Sequence, residues 1–181
     1  GLGSFGYDDE GVPAQRVDLV KEGIFCGYLS SRETAQQLGM KSGGAMRAES
    51  WNHFPIIRMT NINLDPGDWS LEEMIQDTKE GIFASTTKSW SIDDLRLNFQ
   101  FATEVAWEIK DGALGRLLRN TTYQGVTPQF WNSCDAIGNR KEWNLWGVLN
   151  CGKGQPGQVM HVGHGTAPAR FRKVRVGVLE E

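Results

Sequence analysis

Residues 94–120, "DLRLNFQFATEVAWEIKDGALGRLLRN", carry the strongest structural signal in the chain. Apolar side chains alternate with polar ones, first at Leu95, Leu97, Phe99 and Phe101 and then at Val105, Trp107 and Ile109. Strict alternation is typical of a strand with one buried face. Asp111-Gly112 then offers the positive backbone angles that a tight turn requires, so a further strand should follow.

Two other stretches also predict strands. Residues 15–30, "QRVDLVKEGIFCGYLS", indicate a hairpin that turns at Lys21-Glu22-Gly23. Residues 169–179, "ARFRKVRVGVL", predict one closing strand with basic residues on one face. The expected class is α+β: a mainly antiparallel β-sheet, curled or barrel-like, with about three short helices.

The helices are predicted from their capping residues. Ser30 to Glu33 would cap the first helix, with Gly39 as its stop. Ser70 and Glu73 would cap a second helix that runs to about Gly81. Residues 127–138, "TPQFWNSCDAIG", should begin a third helix at a proline and end it near a glycine.

Size and composition indicate one soluble domain over residues 1–181. The apolar fraction is 39% and the net charge is -3, so neither a nucleic-acid partner nor a membrane is expected. Three cysteines without a CxxC pair favour a reducing compartment, and we expect a cytoplasmic location. The chain begins with Gly1 instead of Met, which suggests a piece of a longer protein.

Residues 149–165, "LNCGKGQPGQVMHVGHG", contain the best candidate metal ligands. Cys151, His161 and His164 are all zinc-ligand types, but no fourth ligand is near and the two histidines would face opposite sides of a strand. Alternatively, Cys151 is a small buried side chain, as most free cysteines are. Its glycine-rich, polar surroundings argue against that reading, whereas Cys26 and Cys134 have the apolar neighbours of core cysteines. Lys153 would favour a thiolate at Cys151 if its ammonium approaches the sulfur.

Other chemical roles are less specific. Cys151 could act as a nucleophile with a histidine base and Asp135 or Asn150 as orienter, yet no cysteine-protease signature surrounds it. The acidic turn at residues 7–11 is expected to be solvated, since a Ca²⁺ or Mg²⁺ site needs more oxygens at defined spacing. The long loop at residues 41–68 should be held by the apolar side chains of its middle part, Trp51, Phe54, Ile56, Ile57 and Met59.

That loop also carries the candidate substrate-binding residues His53, Arg58 and Asn61. The side chains of Arg58 and Asn61 could bind a peptide backbone or carboxylate. They could equally satisfy carbonyl groups of the protein itself, which is the commoner role for such side chains.

Five segments, in this order, resemble the TldD/PmbA family, whose members have been called modulators of DNA gyrase and peptide-maturation proteins and are metallopeptidases. The segments are "DDEGVPAQ" (8–15), "GYLSSRETAQQLG" (27–39), "RAESWNHFPIIRMTNINLDPGD" (47–68), "EEMIQDTKEGIF" (72–83) and "CGKGQPGQ" (151–158). The resemblance covers nearly the whole chain and implies that it is the C-terminal domain of a TldD-type subunit.

The resemblance also implies an incomplete zinc site. In the family, a preceding helix with His-Glu-x-x-x-His supplies two Zn²⁺ ligands and the general base, and a cysteine that matches Cys151 completes the site. That motif does not occur in this sequence, so no catalytic residue is expected here and the fragment alone should be inactive. The implied substrate is a small or unfolded peptide, and the implied partner is a TldD/PmbA-type subunit in a homo- or heterodimer. Two alternatives stay open: a non-catalytic peptide-binding or assembly module, and a local Cys/His zinc domain.

Overall fold

Short strands dominate residues 1–179, the part of the chain that the computed structural model describes. Three helices interrupt them. In chain order the elements are β1 (Val20–Lys21), β2 (Ile24–Phe25), α1 (Arg32–Gln37), β3 (Met46–Arg47), β4 (Ile56–Ile57), α2 (Leu71–Gln76), β5 (Glu80–Ile92), β6 (Asn98–Lys110), β7 (Ala113–Leu118), β8 (Thr121–Val126), α3 (Thr127–Asn132), β9 (Cys134–Ile137), β10 (Asn144–Lys153), β11 (Gln158–Thr166), β12 (Ala169–Phe171) and β13 (Arg175–Val178).

These elements group into two compact units. The first unit comprises residues 1–65 and 144–166, and the second comprises residues 66–143 with the described residues from 167 onward. The first unit contains α1, the hairpins β1–β2 and β3–β4, and the β10–β11 pair. The second contains the remaining strands and two helices. A single domain over residues 1–181 remains a prediction.

The second unit is built on the strands predicted from residues 94–120. Its five-stranded sheet has the order β13-β8-β6-β5, with β7 also paired to β6, and every pairing is antiparallel. Asp111 and Gly112 form the β6–β7 turn with φ of 48° and 79°. Ala102 and Ala106 are buried on one face of β6, and Ile109 is buried on the other face, which carries the alternating apolar residues. The predicted α+β class with a mainly antiparallel sheet is therefore confirmed.

The start of that strand was predicted too early. Leu95 is exposed and β6 begins only at Asn98. The Asp93 carboxylate accepts the backbone N–H groups of Leu97 and Asn98 at 2.8 and 2.9 Å, which closes a turn in place of extended strand. A local side-chain hydrogen bond thus outweighs the apolar alternation.

The closing segment is two strands instead of the predicted one. Strand β12 pairs with β9, whereas β13 pairs with β8 in the large sheet. Lys173, between them, has a positive φ of 54°, which an extended strand does not tolerate. The chain changes sheets at that residue.

All three predicted helices are present, but two are shorter than expected. Helix α2 is capped by Ser70 and Glu73 as predicted and ends at Gln76, before the sheet begins. Helix α3 ends at Asn132 because the following residues pair with β12 as β9. The tertiary strand pairing decides both boundaries.

Helix α1 is capped one residue later than predicted. Ser31 accepts the Thr34 N–H at 3.0 Å, and the Thr34 hydroxyl accepts the Ser31 N–H at 2.9 Å. Ser30 is buried and its hydroxyl accepts the Gly43 N–H instead. Gly39, with φ of 64°, ends the helix as predicted.

The hairpin at residues 20–25 is confirmed, with Glu22 and Gly23 at φ of 51° and 77°. Cys26, predicted to lie in a core, is exposed. It follows a hairpin whose strands are only two residues long, which is too short to cover it. Within residues 1–179 the strands divide among five sheets and none of them closes on itself, so a curled or barrel-like form stays a prediction. Of the helices described, each six residues long, none is long and apolar enough to cross a membrane.

Candidate metal-ligand site around Cys151

Cys151 lies in an irregular part of the β10–β11 pair. The register runs evenly from Asn144 to Val148 and then shifts, so that Cys151 pairs with Met160 and two residues of β10 are left unpaired. Such a bulge re-aims the side chains beside it. Cys151 is a half-buried free thiol, while Cys26 is exposed. Cys134, also half-buried, has its pKa raised by burial.

A buried arginine fixes the backbone at this bulge. The Arg58 side chain is 2% exposed, and its guanidinium donates through Nη2 to the Cys151 carbonyl and through Nη1 to the Gln158 carbonyl at 2.9 Å. The backbone N–H of Arg58 donates to the Ala45 carbonyl at 2.8 Å. Arg58 therefore clamps both strands of the hairpin to the β3–β4 segment.

Two further cations lie in the same region. Arg47, half-buried at the end of β3, donates through Nη1 to the Met59 carbonyl at 2.9 Å. Lys153 donates through Nζ to the Ile57 carbonyl at 2.6 Å. The ammonium of Lys153 is thus bound to a backbone oxygen, and its predicted effect on the thiol stays a prediction.

Polar contacts, and not the expected aromatic residues, hold the segment that carries Arg47 and His53. Trp51 and Phe54 are 95% and 89% exposed, so the prediction that they anchor the loop is wrong. Gln158 accepts the Glu49 N–H at 3.0 Å and donates to the Phe54 carbonyl at 2.9 Å. The Glu49 carboxylate accepts the Val159 N–H at 3.1 Å. The start of β11 therefore supports this loop through its own side chain and backbone.

The predicted substrate-binding residues occupy different environments. Asn61 accepts the Gly3 N–H at 3.0 Å and donates to the Ser4 hydroxyl at 2.9 Å. Asn61 and Arg58 both satisfy groups of the protein, which is the structural alternative that the sequence left open. His53 differs, because its Nδ1 is buried and has no hydrogen-bond partner among residues 1–179. Their roles toward a substrate stay predictions.

The two histidines do not join Cys151 in a metal site. Both lie on β11, where His161 is exposed and His164 pairs with Trp146, well beyond the bulge. The Nδ1 atom of His164 lies 3.1 Å from the Ile62 carbonyl oxygen, to which it donates. In the described part of the chain, no three His, Cys, Asp or Glu side chains lie close enough to hold a metal ion. The local Cys/His zinc site is therefore not assembled, and Cys151 is a single donor where Zn²⁺ needs three or four.

The acidic turn is exposed at Tyr7, Asp9 and Gly11, as the sequence indicated, but its carboxylates also bind backbone N–H groups. Asp8 is buried, and its carboxylate accepts the N–H groups of Val12 and Met46 at 2.8 and 3.1 Å. Asp9 accepts the Ala48 N–H at 2.6 Å, and Glu10 accepts an N–H of the first turn of α1. These carboxylates satisfy backbone donors, which explains three acidic residues in succession without a cation.

Asp135 is likewise occupied elsewhere. It belongs to the second unit, where its carboxylate accepts hydrogen bonds from Arg170 at 2.9 and 3.1 Å and also from Arg172. Burial alone would raise the pKa of Asp135, but these two guanidinium groups outweigh it and lower the pKa. Asp135 is thus engaged in an ion-pair network, which removes the basis for an orienting role.

Sequence reasoning missed two residues that shape the site. Arg47 and Gln158 both stand in motifs that carry the family resemblance, but nothing in their local sequence distinguishes them from surface residues. Their contacts join residues about 10 to 110 positions apart, so only the fold reveals them. The position of Arg58 carried a signal, since it follows an apolar pair within a loop.

Comparison with known proteins points to one family. The family model for the PmbA/TldA metallopeptidase C-terminal domain matches residues 1–178. A metalloprotease of Methanocaldococcus jannaschii is 39% identical over 91% of this chain and 35% of its own length. A protein of Saccharolobus solfataricus named zinc metalloprotease TldD homolog is 30% identical over 94% of this chain and 37% of its own length. The chain thus spans little more than a third of these relatives.

Solved structures share the fold at low sequence identity. A Thermotoga maritima protein named as a candidate modulator of a DNA gyrase superposes with a TM-score of 0.75 at 17% identity, over 98% of this chain and 36% of its own. TldE of Thermococcus kodakarensis superposes with a TM-score of 0.68 at 19% identity, over 91% of this chain and 36% of its own. With the family model matched over almost the whole length, the chain belongs to the TldD/PmbA metallopeptidase family and is its C-terminal domain.

Proposed function

We propose that this chain supplies Cys151 as one zinc ligand of a TldD-type metallopeptidase that hydrolyses small or unfolded peptides. The remaining ligands and the general base would come from a His-Glu-x-x-x-His helix outside these residues, as the family resemblance implies. The relatives named metalloprotease and zinc metalloprotease support the activity and the metal. The cysteine assignment rests on the residue itself and its position.

The observation that carries the assignment is the setting of Cys151. Its thiol is free and half-buried, and the Arg58 clamp and the strand bulge fix the backbone that bears it. Metal ligands need such support, because groups outside the coordination shell set the orientation of the donor atom.

A zinc ion held partly by Cys151, with one coordination position open, would supply Lewis-acid activation of a water or a peptide carbonyl. The chain's own residues would bind the peptide. Strand β10 has β11 on one side, and residues 60–64 cover the far edge of β11, with Ile62 N–H donating to the Gly163 carbonyl at 2.9 Å. Within residues 1–179 no strand pairs with the other edge of β10. An extended peptide added at that edge would be recognised through backbone hydrogen bonds, with little dependence on its sequence.

Partner and location follow the same reasoning. We expect a dimer with a TldD/PmbA-type subunit, as the family resemblance implies, and the structure named TldE shares this fold. We expect a cytoplasmic protein, because three free cysteines suit a reducing compartment. A role in peptide maturation belongs to this proposal.

The test is hydrolysis by the full-length protein that contains this chain. An unstructured peptide should be cleaved by the zinc-loaded protein, and Cys151→Ala should remove both bound zinc and cleavage. Cys26→Ala is the matched control and should retain both, since Cys26 is exposed and outside the proposed site. Full zinc content and full cleavage in Cys151→Ala would exclude the ligand assignment. A zinc-loaded wild-type protein that cleaves no peptide would favour the non-catalytic module instead.

A further inference from the structure

Two arginines lie on or next to the paired strands β3 and β4, and one of them, Arg58, contacts the Cys151 backbone. Strands β3 and β4 pair so that Arg47 lies opposite Ile56, and Arg58 follows two residues later. The Arg47 guanidinium bonds to the carbonyl of Met59, the residue next to Arg58. The β3–β4 hairpin therefore concentrates positive charge where Arg58 also contacts the Cys151 backbone.

No carboxylate compensates these charges directly. Among residues 1–179, neither Arg47 nor Arg58 has an acidic group within ion-pair distance, although other arginines, including the well-buried Arg170, form such pairs. The Asp9 carboxylate, which is the acidic group that acts on Arg47, accepts the Ala48 N–H instead. Guanidinium groups removed from water normally have an anionic partner. Here that partner is missing.

Only one of the two arginines is available to a ligand. Arg58 is enclosed and bound to two carbonyl groups. Arg47 is half-buried and makes a single side-chain hydrogen bond in the described part of the chain. A guanidinium has five N–H donors in a planar fork that matches a carboxylate. The remaining donors of Arg47 are therefore free for a second planar anion.

The electrostatics of Arg47 agree with this arrangement. Its pKa is lowered, first by partial burial and then by the positive charge of Arg58, while Asp9 and Cys151 act in the opposite direction. Arg58 is the neighbour of Met59, whose carbonyl Arg47 binds, and it contacts the Cys151 carbonyl, which places Arg47 in the neighbourhood of Cys151. A bound anion would relieve the repulsion between the two guanidinium groups and would lie close to Cys151.

We propose that Arg47 is a specificity-determining residue that binds a carboxylate of the peptide lying against Cys151. This inference rests on the proposed peptidase function and names a substrate feature that the function alone does not give. The carboxylate is either the C-terminus of the peptide or an acidic side chain. Arg58 acts as the positioning residue, and its charge keeps the site selective for anions.

The experiment measures peptide binding to the metal-free full-length protein, so that no turnover occurs. Four versions of one fluorescent peptide are compared by anisotropy: free C-terminus, amidated C-terminus, and the amidated form with an internal Glu or Gln. The wild-type protein should bind at least one carboxylate-bearing form about tenfold to a hundredfold more tightly than its neutral counterpart. The pair that shows the difference identifies the source of the carboxylate.

Three variants assign the effect to the side chain. Arg47→Gln should abolish the preference by weakening the binding of the carboxylate-bearing peptide far more than that of the neutral one, and Arg47→Lys should retain part of the preference. Arg32→Gln, an exposed arginine of α1 in the same unit, is the control and should behave as the wild type. Equal binding of all four peptides by the wild type would overturn the proposal. An equal loss of affinity for charged and neutral peptides in Arg47→Gln would also overturn it, since that result indicates a structural role.

Hydrolysis assays distinguish the Arg47 proposal from the peptidase function on which it rests. Zinc-loaded Arg47→Gln should raise KM for the carboxylate-bearing form far more than KM for its neutral counterpart. If the wild type cleaves peptides without any carboxylate preference, only the Arg47 proposal fails. If the wild type cleaves none of the peptides, the peptidase function fails.

Discussion

Each of the two units contains a poorly solvated arginine, and the two units differ in the groups that contact its guanidinium. In the second unit Arg170 is 12% exposed and is paired with Asp77 at 2.9 Å and with Asp135 at 2.9 Å. In the first unit Arg58 is almost fully enclosed, yet among residues 1–179 its guanidinium bonds only to backbone carbonyl groups, and Arg47 has no carboxylate partner there either. The charge in the second unit is balanced by the fold. The positive charge in the first unit has no carboxylate partner among residues 1–179, and it lies near Cys151, the cysteine in a polar setting.

This difference separates a stabilising network from a site. Arg170 also donates to the Met74 carbonyl at the end of α2, and its guanidinium lies 5.2 Å from the centre of the Trp69 ring. Every part of that network is explained by folding. Around Cys151, Arg47 and Arg58 are removed from water, which costs free energy. A bound anion or a metal-bound ligand would offset that cost.

The largest expected effect is that of Arg58→Ala. It leaves the carbonyl groups of Cys151 and Gln158 without their donor and opens a cavity under the bulge, so the free energy of unfolding should fall by about 3 kcal/mol. Urea denaturation measures this loss. Arg16→Ala, an exposed residue of the same unit, is the control and should change stability by less than about 0.5 kcal/mol. If the two variants are equally stable, Arg58 does not fix the Cys151 backbone.

Arg170→Ala should cost less, about 2 kcal/mol, because Arg172 still contacts Asp135 in its absence. The same variant tests the charge balance through pH. In the folded chain the pKa of Asp135 is lowered, so its contribution to stability is present above about pH 4, the ordinary unfolded value, and is lost as pH falls through the folded pKa.

Arg170→Ala should therefore reduce the loss of unfolding free energy that is expected as pH falls below about 4. Arg58→Ala should leave that acid-side slope unchanged, since no carboxylate pairs with Arg58 in the described chain. Urea titrations of both variants across this pH range make the comparison. Identical acid-side slopes for the wild type and Arg170→Ala would contradict the assigned network.

The smallest effect concerns His53. Its Nδ1 is buried and has no hydrogen-bond partner in the part of the chain that the structure describes, which costs free energy when no ligand is bound. His53→Phe should thus keep or slightly raise the thermal midpoint, by an amount equivalent to about 1 kcal/mol or less, whereas a structurally required imidazole would give a clear loss. If the variant is stable but binds the peptides of the anisotropy assay more weakly, the predicted substrate role of His53 gains support.

Much of the fold followed from local patterns. Alternation from Phe99 to Ile109, the Asp111-Gly112 turn and the Ser70 cap are interactions between near neighbours, and the structure contains each of them. Predictions failed where distant residues compete. The closing strand divides at Lys173 because its halves pair with different partners, and α3 stops where β9 finds β12.

The site was predictable only in part. The polar surroundings of Cys151 are visible in the sequence and distinguished it from Cys134. The support beneath it was not visible, because Arg58, Arg47 and Gln158 act across 12 to 109 positions through backbone carbonyl and amide groups that any residue type offers. An arginine without a carboxylate partner has no local sequence signature either, because the lack of a partner depends on where the fold places every carboxylate.

The most direct test of the central assignment is the visible spectrum of the cobalt-substituted full-length protein. A cysteine ligand gives a thiolate-to-cobalt charge-transfer absorption. We expect this absorption in the wild type and in the Cys26→Ser and Cys134→Ser variants, and we expect it to be absent in Cys151→Ser. Persistence of the band in Cys151→Ser, with cobalt still bound stoichiometrically, would show that another thiol holds the metal and would contradict the account.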